Sequence, residues 1–435
     1  MDNNFWNPSV ERMSRDELHA VQTRRLKETV ERVYSNVPYY RDKMQRKGIL
    51  PGDIKTLEDL ESLPFTTKQD LRETYPFDMF AAPMESIIRI HASSGTTGKQ
   101  TVTGYTRRDI DMWAECMARC LTMAGATRAS KIQVGYGYGL FTGGLGAHYG
   151  AELIGAAVIP ASAGNTMRQI TMMKDFGTNF LCCTPSYALY LGEALGEAGF
   201  TKDDLQIVGG IFGAEPWSEN MRKEIEDILG LRAYDIYGLS EVMGPAVSQE
   251  CCRQDKLHVW EDFFIPEIID PVTCEVLPGK TQGELVFTTI YKEGFPLIRY
   301  RTRDISSLCY DECGCGRTHA RMTKPDGRSD DMLIIRGVNV FPSQVESVLL
   351  EEGNVSPHYR IIVDRKNNLD AMTVEIEMSE NIFSDHVKGI EATESNIRKK
   401  IESVLGISCG VRLVEPKTIA RSEGKAKRVI DNRKI

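Results

Sequence analysis

No apolar stretch in this sequence approaches the roughly 18 residues that a bilayer-spanning helix needs, so a membrane-embedded chain is not expected. Its start, Met1-Asp2-Asn3-Asn4, lacks the basic residues and apolar run of an export signal. A cytoplasmic location is the expectation. Positive charge is in deficit too: 53 Lys and Arg against 61 Asp and Glu leave a net charge of -8. That balance argues against a general nucleic-acid binder and for a small-molecule partner. There is no internal repeat or low-complexity segment, which removes solenoids and linker-like chains. Nor is there a disulfide framework, because the eleven cysteines are odd in number and pairs such as Cys182-Cys183 sit in apolar surroundings suited to buried thiols.

What is present is the composition of a soluble globular protein, 41% hydrophobic and 26% charged over 435 residues. That length exceeds one hydrophobic core and implies at least two domains. The first ninety residues read as helical, with apolar residues at helical spacing from Arg15 to Tyr34, and suggest a cap or packing arm. From Lys131 onward, short apolar segments alternate with amphipathic ones such as Met167 to Phe176 and Ser218 to Leu229. The apolar segments include Ile132 to Gly135, Ala157 to Pro160, Phe180 to Thr184, Ile207 to Ile211 and Ala233 to Tyr237. This is the pattern of βαβ units and parallel sheet, whose ligands sit beyond the strand C-termini.

After Phe263 the period changes to that of strands, including Phe264 to Ile269 and Gly283 to Thr289, so a smaller β-rich subdomain is predicted. A polar run, Gly327-Arg328-Ser329-Asp330-Asp331, separates this from a region with its own strands and helices. There Ser343-Gln344-Val345-Glu346 fits a capping box. The expected fold class is α/β. A large N-terminal domain of parallel and mixed sheets with helices, residues 1–326, would be followed by a hinge at 327–331 and a small mobile α+β domain at 332–435.

The run Ser93-Ser94-Gly95-Thr96-Thr97-Gly98-Lys99 combines four hydroxyls, two glycines and an ammonium. Glycines let backbone N–H groups turn into one hollow, hydroxyls add donors without bulk, and lysine supplies compensating charge, a combination suited to polyphosphate. It is not a Walker A loop, which needs glycine where Ser93 stands and Ser or Thr where Gln100 stands. Gly213-Ala214-Glu215-Pro216 and Tyr237-Gly238-Leu239-Ser240-Glu241 each follow a predicted strand and so fall at one sheet edge. A carboxylate there can hold Mg²⁺ on nucleotide phosphates, and a ring can stack on adenine. Leu297 to Asp304 places three arginines before an aspartate that could accept both ribose hydroxyls. Either an aromatic-lined acyl pocket or ordinary core packing fits the Gly-rich run Tyr136 to Gly146.

Together and in this order, Ser93 to Lys99, Tyr237 to Glu241, Arg301 to Asp304, Gly327 to Asp331 and Gly424-Lys425 resemble the adenylate-forming superfamily of acyl-CoA synthetases. The runs Tyr136 to Gly146, Pro296 to Asp304 and Gly327 to Ser343 resemble its phenylacetate-CoA ligase family. The resemblance implies an AMP-forming ligation in which an aryl acid, phenylacetate favoured, is adenylated by ATP with Mg²⁺ and passed to coenzyme A. Carried onto this chain, Ser93, Ser94, Gly95, Thr96, Thr97 and Gly98 would hold the ATP phosphates, Glu241 the Mg²⁺, and Ser240 the α-phosphate.

Gly213, Ala214, Glu215, Pro216, Asp235, Ile236 and Tyr237 would surround the adenine, and Asp304 and Arg328 would hold the ribose. Lys425 would stabilise charge developing on oxygen, Asp330 would be the hinge, and Tyr136, Tyr138 and Phe141 would face the acid. A homodimer is implied as well. Alternatives are transfer to a carrier protein, an indoleacetate or benzoate-like acid as substrate, and a non-catalytic nucleotide-binding protein. Separately, Cys251 or Cys252, His258, Cys313 and Cys315 supply four soft ligands suited to tetrahedral Zn²⁺, with Cys251 preferred and His319 a substitute. No base stands beside them, so a structural site tying the β-rich subdomain to the loop after Glu250 is expected.

Overall fold

Helices begin where the sequence supplies a cap. The computed structural model describes residues 4–93, 100–325, 333–335, 338–340, 342–351, 355–366, 369–378, 387–420 and 428–433. It divides into two compact units, Met1–Cys183 with Asp203–Ala214 and Leu231–Lys324, and Thr184–Lys202 with Glu215–Gly230 and Pro325–Ile435. In the first unit, α1 (Pro8–Glu11) leads to α2 (Arg15–Asn36), opened by a reciprocal Ser14/Glu17 capping box. After α3 (Pro38–Arg46), the same device, Thr67/Asp70, opens α4 (Lys68–Glu73). A hairpin of β1 (Arg89–Ala92) and β2 (Val102–Tyr105) follows. Then α5 (Arg107–Met123) starts from a Thr106/Asp109 box.

The predicted alternation is present: β3 (Lys131–Val134), α6 (Gly143–Leu153), β4 (Ala157–Ile159), α7 (Thr166–Phe176), β5 (Phe180–Cys183), β6 (Gly209–Gly213) and β7 (Arg232–Leu239). These strands are mutually parallel, and β5 and β6 are buried throughout, as interior parallel strands are. β8 (Gly244–Glu250) and β9 (Leu257–Val259) return antiparallel. β10 (Phe264–Ile269), β11 (Gly283–Thr289) and β12 (Tyr300–Ser306) form the separate antiparallel sheet expected after Phe263. β13 (Leu308–Cys309) and β14 (Arg321–Met322) then complete a nine-stranded mixed sheet in the order β13-β14-β9-β8-β7-β6-β5-β3-β4.

The second unit contains α8 (Pro185–Glu197) and α9 (Glu219–Leu229), the hairpin β15 (Leu333–Ile335) and β16 (Val338–Val340), α10 (Pro342–Glu351) and α11 (Val387–Leu405). Its four-stranded sheet is built from β17 (Val355–Lys366), β18 (Leu369–Met378), β19 (Gly410–Val414) and β20 (Val429–Asp431). Met372, Val374, Ile376 and Met378 alternate onto its core with Val345, Val348 and Leu349. The helix expected after a capping box at Ser343–Glu346 begins one residue earlier. Proline, favoured in the first helical turn, starts α10 at Pro342, and the buried Glu346 instead accepts from the Tyr359 hydroxyl at 3.2 Å. The fold class is the expected α/β, with a large N-terminal α/β domain and a smaller C-terminal one.

Candidate active site and metal centre

The carboxyl ends of β3, β6 and β7 lie along one edge of the large sheet, where parallel α/β sheets bind ligands. On β7, the Tyr237 hydroxyl donates to Asp304 Oδ2 at 2.5 Å, joining two residues 67 positions apart. The Tyr237 ring packs on Phe287 with centroids 6.3 Å apart. Between β7 and β8 the chain turns through Ser240 and Glu241, with the Val242 and Met243 amides donating to the Leu239 carbonyl. Gly238 is obligatory here, because a Cβ would meet the Gly244 carbonyl oxygen at 1.9 Å. Ser240 Oγ lies 3.1 Å from Thr142 Oγ1, and Glu241 Oε1 lies 3.8 Å from Lys68 Nζ. Three donors hold the turn from behind: Lys292 Nζ to Val242 O (3.2 Å), Tyr105 Oη to Met243 O (2.7 Å) and Trp113 Nε1 to Pro245 O (3.0 Å).

Asp235 and Ile236 precede Tyr237 on β7, and both are buried. The Asp235 amide donates to Glu250 at 2.8 Å, with Lys324 at 3.6 Å from the Asp235 carboxylate. Gly213 ends β6 where a Cβ would strike the Ile236 carbonyl oxygen at 2.2 Å, and Ala214 takes a left-handed φ of 73°. In the second unit, Glu215 accepts from the Ser186 amide at 2.7 Å and from its hydroxyl, and Pro216 follows it. Ser93 closes the β1–β2 hairpin, its Oγ accepting from the Thr101 amide at 3.1 Å. Ser94 to Gly98, Arg328, Asp330 and Lys425 lie outside the described residues.

Tyr136 is buried, Tyr138 half-buried and Phe141 exposed in the segment between β3 and α6. Tyr138 Oη lies 3.2 Å from His148 Nδ1. The three arginines before Asp304 do not form a solvated face. Arg299 is buried against Glu267 (2.8 Å), while Arg301 (2.6 Å) and Arg303 (3.3 Å) share the fully buried Glu284. Thr142, Lys68 and Lys292 were not singled out from the sequence. A hydroxyl beside the glycines of the Tyr136 to Gly146 run was a signal for Thr142. The two lysines carry no local signal.

At the other side of the sheet, Cys251 follows β8, His258 lies within β9, and Cys313 and Cys315 lie between β13 and β14. The β9–β14 register, with Arg321 opposite His258, gathers all four. Their donor atoms lie within 4.8 Å of one another and all four residues are buried. Cys251 Sγ is 3.7 Å from Cys313 Sγ, and Cys315 Sγ is 3.4 Å from His258 Nε2. Crowding with Cys313 and Cys315 raises the Cys251 pKa, while hydrogen bonds from Cys251 and Cys313 hold Cys315 far below the usual thiol range.

Cys252 is outside the quartet. So is His319, whose Nδ1 accepts from the Glu261 amide at 2.9 Å while its Nε2 lies 3.1 Å from the Val10 carbonyl oxygen. The cluster joins two loops of the nine-stranded sheet, not the three-stranded subdomain to the loop after Glu250. The segment carrying it also grips α1. Arg317 pairs with the fully buried Glu11 at 2.7 Å, and Thr318 Oγ1 donates to Met13 O at 2.6 Å.

A model of the family described as AMP-binding enzyme matches residues 14–290, and one described as AMP-binding enzyme C-terminal domain matches residues 337–433. The chain belongs to the AMP-binding enzyme family. Within it, this AMP-binding enzyme is 52% identical to phenylacetate-coenzyme A ligase of Escherichia coli (strain K12), over 98% of this chain and 97% of that protein. It is 47% identical to phenylacetate-coenzyme A ligase of Thermus thermophilus, over 99% of this chain and 100% of that protein. Among solved structures, 2-hydroxyisobutyryl-CoA ligase in the postadenylation state with 2-HIB-AMP is 29% identical, with a TM-score of 0.93 over 99% of this chain and 92% of that one.

Proposed function

We propose that this AMP-binding enzyme is an ATP-dependent, AMP-forming ligase that joins an aryl acid, phenylacetate before others, to coenzyme A. A carboxylate oxygen of the acid attacks the α-phosphorus of ATP and pyrophosphate leaves. The thiol sulfur of coenzyme A then attacks the acyl carbonyl, AMP departs with the electron pair of the cleaved C–O bond, and the thiol proton is lost. The observation that carries the reading is the Tyr237–Asp304 hydrogen bond beside the Ser240–Glu241 turn, which brings a ring and a carboxylate together next to a hydroxyl and a second carboxylate. Coenzyme A as the acceptor in the relatives' names weighs against transfer to a carrier protein.

In this reading Tyr237 stacks on adenine, bordered by Gly213 to Pro216, Asp235 and Ile236, while Asp304 and Arg328 hold the ribose. The Ser93 to Gly98 loop cradles the phosphates, and Ser240 donates to the α-phosphate. Lys425 stabilises charge on the attacking and bridging oxygens during adenylation. Its domain, residues 332–435, would turn on the 327–331 hinge at Asp330 between the two steps. Tyr136, Tyr138 and Phe141 would surround the aromatic ring. Glu241 would hold Mg²⁺, which neutralises phosphate charge. Its oxygen donor suits a hard cation, and it is nearly buried beside the Ser240 and Thr142 hydroxyls.

The Cys251, His258, Cys313 and Cys315 set would hold one structural Zn²⁺. Sulfur ligands at about 2.3 Å from a tetrahedral ion stand about 3.8 Å apart, close to the 3.7 Å between Cys251 and Cys313. The enzyme is proposed to act as a cytoplasmic homodimer on small molecules alone. Adding ATP, Mg²⁺ and phenylacetate should release pyrophosphate, and coenzyme A should then yield phenylacetyl-CoA and AMP. An absence of pyrophosphate with phenylacetate, indoleacetate and benzoate alike would overturn the proposal.

A further inference from the structure

Lys292 is 1% exposed, and among the described residues its ammonium forms no ion pair. Burying an ammonium is costly unless polar or aromatic partners replace water. Here the partners are one carbonyl and two rings. Nζ donates to Val242 O at 3.2 Å and lies 4.5 Å from the Tyr105 centroid and 5.2 Å from that of Phe295. Tyr105 itself donates to the next carbonyl, Met243 O, and stacks on Trp113 at 5.3 Å, whose indole holds Pro245 O. Three side chains from β2, α5 and the loop after β11 thus hold two carbonyls of one turn and one at the start of β8. That turn carries Ser240 and Glu241. Burial lowers the Lys292 pKa to about 8, with the Asp109 and Glu241 carboxylates opposing the shift.

We propose that Lys292 is a positioning residue for adenylation: by holding the Val242 carbonyl from within the core, it fixes Ser240 and Glu241 in the orientation that receives the metal-bound phosphates of ATP. The proposal rests on the reading of Glu241 as the Mg²⁺ ligand. Without Lys292, the peptide after Val242 keeps only its N–H bond to the Leu239 carbonyl, and its own carbonyl, left without the ammonium, no longer ties the turn beside Glu241 to the core. A carboxylate so loosened binds a cation less well, as happens when outer partners of metal ligands are removed.

The test compares Lys292→Met, which keeps the stem without donor or charge, with Lys292→Gln, which keeps a donor. Pyrophosphate release from ATP and phenylacetate is titrated with Mg²⁺, and thioester formation from supplied phenylacetyl-AMP and coenzyme A is measured separately, both beside Tm. Lys292→Met is expected to raise the Mg²⁺ concentration for half-maximal release roughly tenfold or more, with Lys292→Gln intermediate and thioester formation unchanged. If the methionine variant does not fold, the glutamine variant decides alone. Wild-type Mg²⁺ dependence in both variants, or equal loss of both half-reactions, overturns the proposal. Glu241→Gln is the control. If it leaves Mg²⁺ dependence unchanged, the reading of Glu241 fails and takes this proposal with it; if it shifts while the Lys292 variants do not, only the role of Lys292 is overturned.

Discussion

One sheet carries two clusters of metal-binding residue types, and they differ in nearly every respect. The Ser240–Glu241 turn offers hard oxygen donors next to lysines at an edge meant to receive substrate. The Cys251, His258, Cys313 and Cys315 set offers soft donors, closed on all four sides and buried. Donor chemistry separates their ions, since carboxylate and hydroxyl suit Mg²⁺ and thiolate suits Zn²⁺. Exchange separates their proposed purposes, because a cation that arrives with each ATP must come and go and a structural one need not. The lesson is that the edge should govern rate and the cysteine cluster stability, each with little influence on the other.

The strongest way to break that division is at the edge. Lys425→Ala should reduce pyrophosphate release by a factor of about 10³ or more, the scale of losing a charge-stabilising group, while sparing thioester formation from supplied phenylacetyl-AMP. Equal loss of both, in a stopped assay of each half-reaction, would refute its role. Glu241→Gln should lower adenylation by about 10² with Tm unmoved, and calorimetry alongside the Mg²⁺ titration checks both.

At the cysteine cluster the reverse is expected. Cys313→Ser/Cys315→Ser should take zinc from one per chain to none by elemental analysis and lower Tm by roughly 5 °C or more, while kcat/KM for ATP holds at a permissive temperature. Full zinc retention would reassign the ligands. The smallest effect belongs to Tyr237→Phe, which keeps the ring but removes the hydrogen bond to Asp304. A loss of about 1 kcal/mol corresponds to roughly a fivefold rise in KM for ATP, and no change would show that the phenol only packs.

Legibility followed the range of the interactions. Gly283 to Thr289 was readable as a strand because a short run rich in Val, Phe and Thr is a local signal, and the structure gives it the same bounds. The cysteine quartet was readable because its residue types carry their chemistry wherever the chain folds. The partners of the arginines before Asp304 were not legible, since Glu284 and Glu267 reach them from neighbouring strands that periodicity cannot align. Lys292 gave no signal at all. In sequence it resembles any lysine beside a glutamate, and only the packing of Tyr105 and Phe295 makes its ammonium an interior group. α10 begins one residue before the predicted cap Ser343, because Pro342 can open the helix itself.

The grip of the cysteine-bearing segment on α1 bears on how this chain comes off the ribosome. Glu11 is made well before its partner Arg317, which follows 306 positions later. At translation rates of about 5–20 residues per second, that is a wait of roughly 15 to 60 s. Throughout it, an acidic side chain destined for a dry interior lacks the guanidinium that pairs with it there. The seating of α1 is thus among the later events of folding, and chaperone capture of nascent chains should include this segment.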